Sequence, residues 1–204
     1  MMETASEPVS GTSPGAAKEP TKALREPAKS LFSLARAFDD RDDRLGIGSG
    51  AVAELRRMRP EAGGLPSAFW HLALPRIEED WIGSVAQEKA WAIVVAGMAT
   101  MAPGAHARHA APGAVLAASG YAESRFVRLL RAEGDTLGAE VRTVCLWFRN
   151  KGRAIDWLEF GRFVLARSGA RFPERLDPDD EAHRMARRYF RELTRTAKEN
   201  DNER

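Results

Sequence analysis

The residue type with the most chemical potential in this chain is arginine. The sequence contains 25 arginines and only 6 lysines, within a formal net charge of +2. A guanidinium binds phosphate through paired hydrogen bonds and also stacks on bases, which an ammonium group does not do. GC-rich codon usage enriches arginine together with alanine and glycine, so the placement of the arginines is more informative than their number.

The C-terminal region places arginines at helical spacing. At about 100° per residue, a helix over 178–198 carries five of them on one stripe, namely Arg184, Arg187, Arg188, Arg191 and Arg195. Its opposite side carries Met185, Tyr189, Phe190 and Leu193. Asp180 and Glu192 are spaced to pair with Arg184 and Arg188, and the other arginines have no acid among them. Because like charges four residues apart repel, this stripe indicates an external anion.

A shorter segment, 122–132, repeats this pattern. Phe126, Leu129 and Leu130 face inward, whereas Arg125, Arg128 and Arg131 face outward together. Neither Glu123 nor Glu133 projects onto the outer face. More cations follow at Arg142, Arg149, Lys151 and Arg153. Two interpretations are open: a solvated face whose arginine stems cover apolar surface, or a face that binds phosphates.

The aromatic residues bear on how nucleic acid would be bound. Base stacking requires exposed aromatic side chains among the cations. Trp147, Trp157 and Phe163 fall at positions typical of helical cores. We therefore expect contact with the phosphate backbone, a steep salt dependence and little sequence preference.

Other residue types give no comparable pattern for chemistry. Cys145 lies in an apolar run and is expected to be a buried thiol without a nearby histidine to activate it. His106 and His109 are three apart, but cysteine and carboxylate are missing around them, so we expect no metal site. Asp156 is explained as a helix N-cap. Phosphate-binding loops, dinucleotide fingerprints and nucleophile elbows are also missing, so we expect no cofactor and no enzyme.

The elements that position these residues are predicted to be helices, since apolar residues recur at spacings of three and four. Predicted helices cover 30–38, 51–58, a short segment after Pro66, 79–101, 114–118, 122–132, 136–150, 157–167 and 178–198. We expect three acids, Glu78, Glu79 and Asp80, to open the helix over 79–101. Gly134 is expected to end a helix, and Asp135, Asp156 and Asp177 are N-cap candidates.

The predicted fold class is therefore all-α, as two small helical bundles behind a disordered extension. The extension covers 1–29 and contains four helix-breaking prolines. The N-terminal bundle covers 30–111 and the C-terminal bundle 112–204, with a boundary rich in small residues, proline and glycine. The charged run 39–44 is expected to be a solvated linker. We expect no signal peptide, no membrane span and a cytoplasmic location.

Two blocks of the sequence resemble the CasB family, the small subunit of the type I-E CRISPR Cascade complex. The first comprises Gly48, Ser49, Gly50, Ala51, Leu55, Arg56, Arg57, Pro66, Ala68, Phe69 and Trp70. The second comprises Leu116, Ala117, Ser119, Gly120, Glu123, Arg125, Phe126, Leu129, Leu130, Arg131, Ala132, Leu137, Val141, Arg142, Ile155, Asp156 and Trp157. The family has a C-terminal signature, Trp-Ala-Arg-x-Tyr-Tyr. This chain departs from it at the first position, where Met185 replaces the tryptophan.

This resemblance implies a non-catalytic protein that contacts guide RNA, both strands of target DNA, other Cascade subunits and a second copy of itself, and that stabilises the R-loop. By motif position, the implied phosphate contacts are Arg56, Arg57, Arg125, Arg128, Arg131 and Arg142. Helical geometry adds Arg184, Arg187 and Arg188. Two alternatives remain open: a helical DNA-binding regulator, which needs polar base-reading residues that are scarce here, and an arginine-rich adaptor that binds an acidic protein.

Overall fold

A computed structural model describes residues 26–39 and 47–202, the side chains being described up to residue 199. This part of the chain forms nine α-helices and two 3₁₀ turns without any strand, so the all-α prediction is confirmed. The helices are α1 (Ala28–Asp39), α2 (Ser49–Arg57), α3 (Ser67–Ala73), α4 (Val85–Met101), α5 (Pro112–Ala118), α6 (Glu123–Arg131), α7 (Gly134–Asn150), α8 (Trp157–Arg167) and α9 (Pro178–Asn202). The 3₁₀ turns cover Pro60–Ala62 and Glu79–Trp81.

The N-terminal boundary differs from the prediction. α1 begins at Ala28, so two residues assigned to the disordered extension are helical. Pro27 is the last residue before α1, and its carbonyl accepts a hydrogen bond from the amide of Leu31. Residues 1–25 of the predicted extension and residues 40–44 of the predicted linker lie outside the described residues.

The start of α4 also differs from the prediction. The acids at 79 and 80 belong to a separate 3₁₀ turn, because Ile82 leaves the helical conformation with φ −136°. Ser84 then caps α4, its hydroxyl accepting a hydrogen bond of 3.3 Å from the amide of Gln87. The prediction of one helix over 79–101 is therefore wrong at its N-terminal end.

Capping at the other helices is partly as predicted. Asp156 Oδ1 accepts from the amide of Leu158 at 2.9 Å, and Asp177 Oδ1 accepts from the amides of Asp179 and Asp180. These two predictions are confirmed. The predictions for Gly134 and Asp135 are wrong, since α7 begins at Gly134. Glu133 is the N-cap residue and exchanges hydrogen bonds with Thr136 in a capping box.

The core is built around α4, whose residues from Ala90 to Met101 are all buried. A helix that is apolar on every side must be surrounded by other elements, and α4 packs against α1, α2, α7 and α8. Cys145 lies in this core and is fully buried, as predicted. Burial raises the pKa of its thiol far above the ordinary value, so Cys145 is an unreactive core residue.

A second packing region joins α5, α6 and α9. The ring of Phe126 stacks on that of Tyr189 with centroids 3.9 Å apart. The Tyr189 hydroxyl donates a hydrogen bond of 2.6 Å to the carbonyl of Tyr121. The backbone of Gly113 lies so close to α9 that a Cβ there would be 2.2 Å from the Met185 carbonyl oxygen. These contacts fix the position of α9 relative to α6.

The segment between α4 and α5 is joined to the residues before α8. The amide of Ile155 donates to the carbonyl of Ala105, and the amide of Asp156 donates to the carbonyl of Ala110. Asp156 Oδ2 accepts a hydrogen bond of 2.9 Å from the amide of His109. The division into bundles at 111/112 stays a prediction, but one buried cluster contains residues from both sides of it.

Candidate nucleic-acid interface

The arginines of α6 lie on its solvent face. Arg125, Arg128 and Arg131 are exposed, whereas Phe126 and Leu129 are fully buried. The predicted inward and outward faces of this helix are therefore confirmed for these residues, and Leu130 is half-buried. The helix presents three guanidinium groups to solvent within nine residues.

One of these three arginines has an acidic partner on another helix. Arg128 Nε lies 2.7 Å from Glu140 Oε1 on α7. Glu140 also affects Tyr121, whose pKa is raised by burial and by this carboxylate, while Arg128 and Arg125 oppose the shift. In the described part of the chain, Arg125 and Arg131 form no ion pair. The face thus has two free guanidinium groups beside one that is tied to α7.

On α9, cationic side chains line an open cleft of about 640 Å³. Its lining consists of Asp180, His183, Arg184, Arg187, Arg188 and Arg191. Four guanidinium groups on one surface create a local positive field that the net charge of +2 does not indicate. The predicted clustering of Arg184, Arg187, Arg188 and Arg191 is confirmed.

The ion pairs of this cleft differ from those predicted. Arg184 Nη1 pairs with Glu181 at 2.8 Å, and Arg188 Nε pairs with Glu159 of α8 at 3.3 Å. Arg195, predicted to be unpaired, contacts Glu192 and Glu199. Among the described residues, the acidic partner of Arg184 is Glu181 and not Asp180, whose backbone amide is part of the Asp177 cap. Among the described residues, Arg187 and Arg191 form no ion pair.

One buried and one half-buried carboxylate position the paired arginines. Glu181 is 3% exposed and contacts Arg162 of α8 at 3.1 Å as well as Arg184. Burial raises the pKa of Glu159, and the nearby charge of Arg188 acts in the opposite direction. The cleft therefore contains two guanidinium groups oriented by carboxylates, Arg184 and Arg188, and two available for an external anion, Arg187 and Arg191.

Phe190 departs from the predicted core face of α9. Met185 and Tyr189 are buried as expected, but 41% of Phe190 is exposed. α5 packs closely against α9 at Met185 and Tyr189, whose backbone atoms lie next to Gly113, and Phe190 lies about 100° further around the helix. An exposed aromatic side chain therefore lies beside Arg187 on α9, contrary to the sequence-based expectation.

The arginines at 56 and 57 have different environments. Arg56 Nε donates to the carbonyl of Ala99 at 3.1 Å, and its Nη2 donates to the carbonyl of Ala102 at 3.3 Å. Arg149 of α7 donates to the neighbouring carbonyl of Thr100 at 3.5 Å. Two guanidinium groups thus bind the C-terminal carbonyls of α4, where a helix dipole favours positive charge. Arg57 is exposed.

Arg142 is half-buried beside a cation that the sequence analysis did not identify. Burial lowers the pKa of Arg142, and Arg59 lowers it further, while Glu61 acts in the opposite direction. Arg59 precedes the 3₁₀ turn at Pro60 and donates to the carbonyls of Arg57 and Met58. Because Arg59 lies on no regular helix face, periodicity could not reveal it.

The two histidines between α4 and α5 make hydrogen bonds to residues at the start of α8. His106 Nδ1 accepts a hydrogen bond of 3.2 Å from the amide of Trp157. His109 has a positive φ of 66°, and its amide donates to Asp156. Within the described ranges, no group of three or more histidine, cysteine or acidic residues is placed to hold a metal ion. The same ranges contain no helix that is long and apolar enough to cross a membrane.

The geometry defines a small, all-helical protein with arginine-rich faces on neighbouring helices. The model of the family "CRISPR-associated protein Cse2" matches residues 51–192, which is well over half of the chain. The chain belongs to the Cse2 family, and the predicted resemblance to CasB is confirmed.

Solved structures show the same fold. One is a chain in the crystal structure of E. coli Cascade bound to a PAM-containing double-stranded DNA target. It is 18% identical with a TM-score of 0.59, over 80% of this chain and 96% of that chain. Another is CasB from Thermobifida fusca, which is 17% identical with a TM-score of 0.51, over 81% of this chain and 94% of that chain. No match was found among curated proteins.

Proposed function

We propose that this protein is a non-catalytic small subunit of a type I-E CRISPR Cascade surveillance complex. In this role it binds the backbones of guide RNA and target DNA without sequence preference and stabilises the R-loop during antiviral defence. Its partners are the other Cascade subunits, both target strands and a second copy of itself. The cytoplasmic location expected from the sequence is part of the proposal. Family membership supports the assignment to the complex.

The observation that carries the nucleic-acid role is the proximity of two arginine-rich helices. Phe126 of α6 stacks on Tyr189 of α9 and also contacts Phe190, so the two helices are direct neighbours. Each presents exposed guanidinium groups without an ion pair among the described residues: Arg125 and Arg131 on α6, and Arg187 and Arg191 on α9. In the described part of the chain, the two helices are held together by aromatic contacts and not by ion pairs between them. Their unpaired guanidinium groups are therefore available for an external polyanion.

Phosphate binding by such groups fits the energetics of R-loop formation. The heteroduplex formed is about as stable as the duplex that it replaces, so contacts to backbone phosphates decide the direction of the exchange. Each guanidinium that neutralises a phosphate releases condensed counterions, which makes binding depend steeply on salt. The proposed contacts are Arg57, Arg125, Arg128, Arg131, Arg142, Arg184, Arg187 and Arg188. The phosphate contact implied for Arg56 is not among them, because its guanidinium donates to two carbonyls at the end of α4.

The test is binding of the purified protein to unrelated single-stranded and duplex oligonucleotides over a salt series. We compare wild type with R125A/R131A, and with R36A/K89A as a control that removes two exposed cations from other helices. The proposal expects a steep slope of log K against log salt that falls by about two in R125A/R131A. The slope of R36A/K89A should equal that of wild type.

Three results would contradict this proposal. Binding that is undetectable at low salt would favour the adaptor alternative, in which the arginines meet an acidic protein. Strong preference for one duplex sequence would favour a DNA-binding regulator. An equal loss in R125A/R131A and R36A/K89A would show that total charge, and not the α6 face, determines binding.

A further inference from the structure

We propose that Phe190 is a stacking platform for an unpaired base, with Arg187 and Arg191 binding the phosphates beside that base. The inference rests on the proposed function and extends it. It assigns a single-stranded segment, as distinct from a duplex, to the surface of α9 that carries Arg187, Phe190 and Arg191. It also adds an apolar contribution to binding that the arginines do not supply.

The first argument is the exposure and fixation of the ring. Phe190 is one of three large apolar residues exposed in the described part of the chain, with Leu74 and Val85. Its ring makes edge-to-face contacts with Phe126 at 6.3 Å and Tyr189 at 5.3 Å. Tyr189 is itself anchored by its hydroxyl on the Tyr121 carbonyl. The exposed ring therefore has a defined position, which lowers the conformational entropy lost when a base stacks on it.

The second argument is the charge around the ring. Arg187 neighbours both Phe190 and Arg191 on the surface of α9, because positions three and four apart are adjacent on a helix. Both arginines are exposed and lack an ion pair among the described residues, whereas Arg184 and Arg188 are occupied by Glu181 and Glu159. The aromatic ring thus lies beside Arg187, which in turn lies beside Arg191, and both guanidinium groups are available for phosphate. An aromatic ring among backbone-binding cations is the arrangement that binds single strands.

The third argument is the nature of the ligand. In a duplex the faces of the bases are covered by their neighbours, so an aromatic ring reaches them only by unstacking a base step, which costs free energy. A single strand offers free base faces, and stacking tolerates any base. Formation of an R-loop displaces one DNA strand and so supplies such a ligand. This is consistent with binding that has no sequence preference.

The experiment measures binding of the purified full chain to a mixed-sequence single strand and to the matching duplex across a salt series. The variants are F190A, F190W and L74A, the last removing an exposed apolar side chain from α3's C-terminal end. We expect F190A to bind the single strand about tenfold more weakly at every salt concentration, with an unchanged salt slope. Duplex binding should not change. F190W should restore affinity, and L74A should behave like wild type.

A second readout uses a single strand with 2-aminopurine, whose fluorescence reports stacking. Wild type should change this fluorescence on binding, and F190L should not. Unchanged single-strand affinity in F190A, or an equal loss on duplex and single strand, would overturn the stacking role while leaving the proposed function intact. If wild type binds no oligonucleotide in a salt-dependent manner, the proposed function fails first and the stacking role fails with it.

Discussion

Glu140 on α7 accepts a hydrogen bond of 2.7 Å from Arg128 Nε on α6. To bind a phosphate, Arg128 must therefore share its guanidinium with a carboxylate, whereas Arg125 and Arg131 have no such competitor among the described residues. We predict that R125A and R131A each lower the salt slope of single-strand binding by about one, and that R128A lowers it by less. The measurement is fluorescence anisotropy from low to moderate salt.

The control for this prediction is removal of the acid. E140Q should strengthen binding at low salt, because Arg128 is then free for phosphate, and R128A/E140Q should bind like R128A. Equal slopes for the three arginine variants would show that the Glu140 pair does not limit Arg128.

The adjacent residues Arg56 and Arg57 should have opposite roles. Arg56 binds two carbonyls at the end of α4, so we expect R56A to lower the free energy of unfolding by about 1–2 kcal/mol. Arg57 is exposed, so R57A should change it by less than about 0.5 kcal/mol and should weaken nucleic-acid binding. Urea unfolding and anisotropy on the same two variants check this prediction. A loss of stability in R57A as large as that in R56A would contradict it.

Most of the helical framework could be predicted from the sequence, since it depends on local patterns. Apolar spacing located α8 with the correct first and last residues, and local capping chemistry identified Asp156 and Asp177. The acids at 79 and 80 do not mark the start of α4, because the residue whose side chain makes the cap is Ser84.

The pairing of the arginines could not be predicted, because it depends on contacts between helices. A helical projection of α6 or α9 alone shows only the acids of that same helix. The acids that pair with Arg128 and Arg188 are Glu140 of α7 and Glu159 of α8. Phe190 is a similar case, since its exposure depends on how much of α9 is covered by neighbouring helices. The sequence position of a residue determines the side of the helix on which it lies. The packing of neighbouring helices determines which residues it contacts and how far it is exposed.

The close approach of α5 to α9 predicts sensitivity at Gly113. An alanine there would place its Cβ 2.2 Å from the Met185 carbonyl oxygen and 3.1 Å from the Tyr189 amide nitrogen. Since both are backbone atoms, α9 must shift as a whole. We expect G113A to lower the free energy of unfolding by about 2–3 kcal/mol, measured in urea. G50A, at a helical position with open space, should leave stability unchanged or slightly raised. A neutral G113A would contradict this contact.

The raised pKa of Glu159 predicts that the free energy of unfolding depends on pH. Burial raises its pKa above the ordinary value of 4.5, aided by Asp156 and Glu181 and opposed by Arg188 and Arg184. Between 4.5 and the raised pKa, the native state binds more protons than the unfolded state, so stability falls as the pH rises. The unfolding free energy of wild type minus that of E159Q should therefore decrease from pH 4.5 to pH 7. Urea midpoints at several pH values test this, and an increase would contradict it.

The packing of α4 predicts that the two halves of the chain unfold together. A Cβ on Gly97 of α4 would lie 2.7 Å from the ring of Trp157 on α8, and one on Gly161 of α8 would lie 2.3 Å from Leu31 of α1. Because each half completes the core of the other, separating them would expose a large apolar surface. We expect one urea transition with coincident far-UV circular dichroism and tryptophan fluorescence.

Hydrogen exchange distinguishes this outcome from independent bundles. The slowest amides of α4 and α8 should exchange with the same free energy, equal to the global value from urea. D156N can serve as a control, because one of its two side-chain acceptors is replaced by a donor. It should speed exchange at the His109 amide and leave α4 unchanged. Two separate transitions, or slow exchange confined to one half, would instead support independent bundles meeting at 111/112.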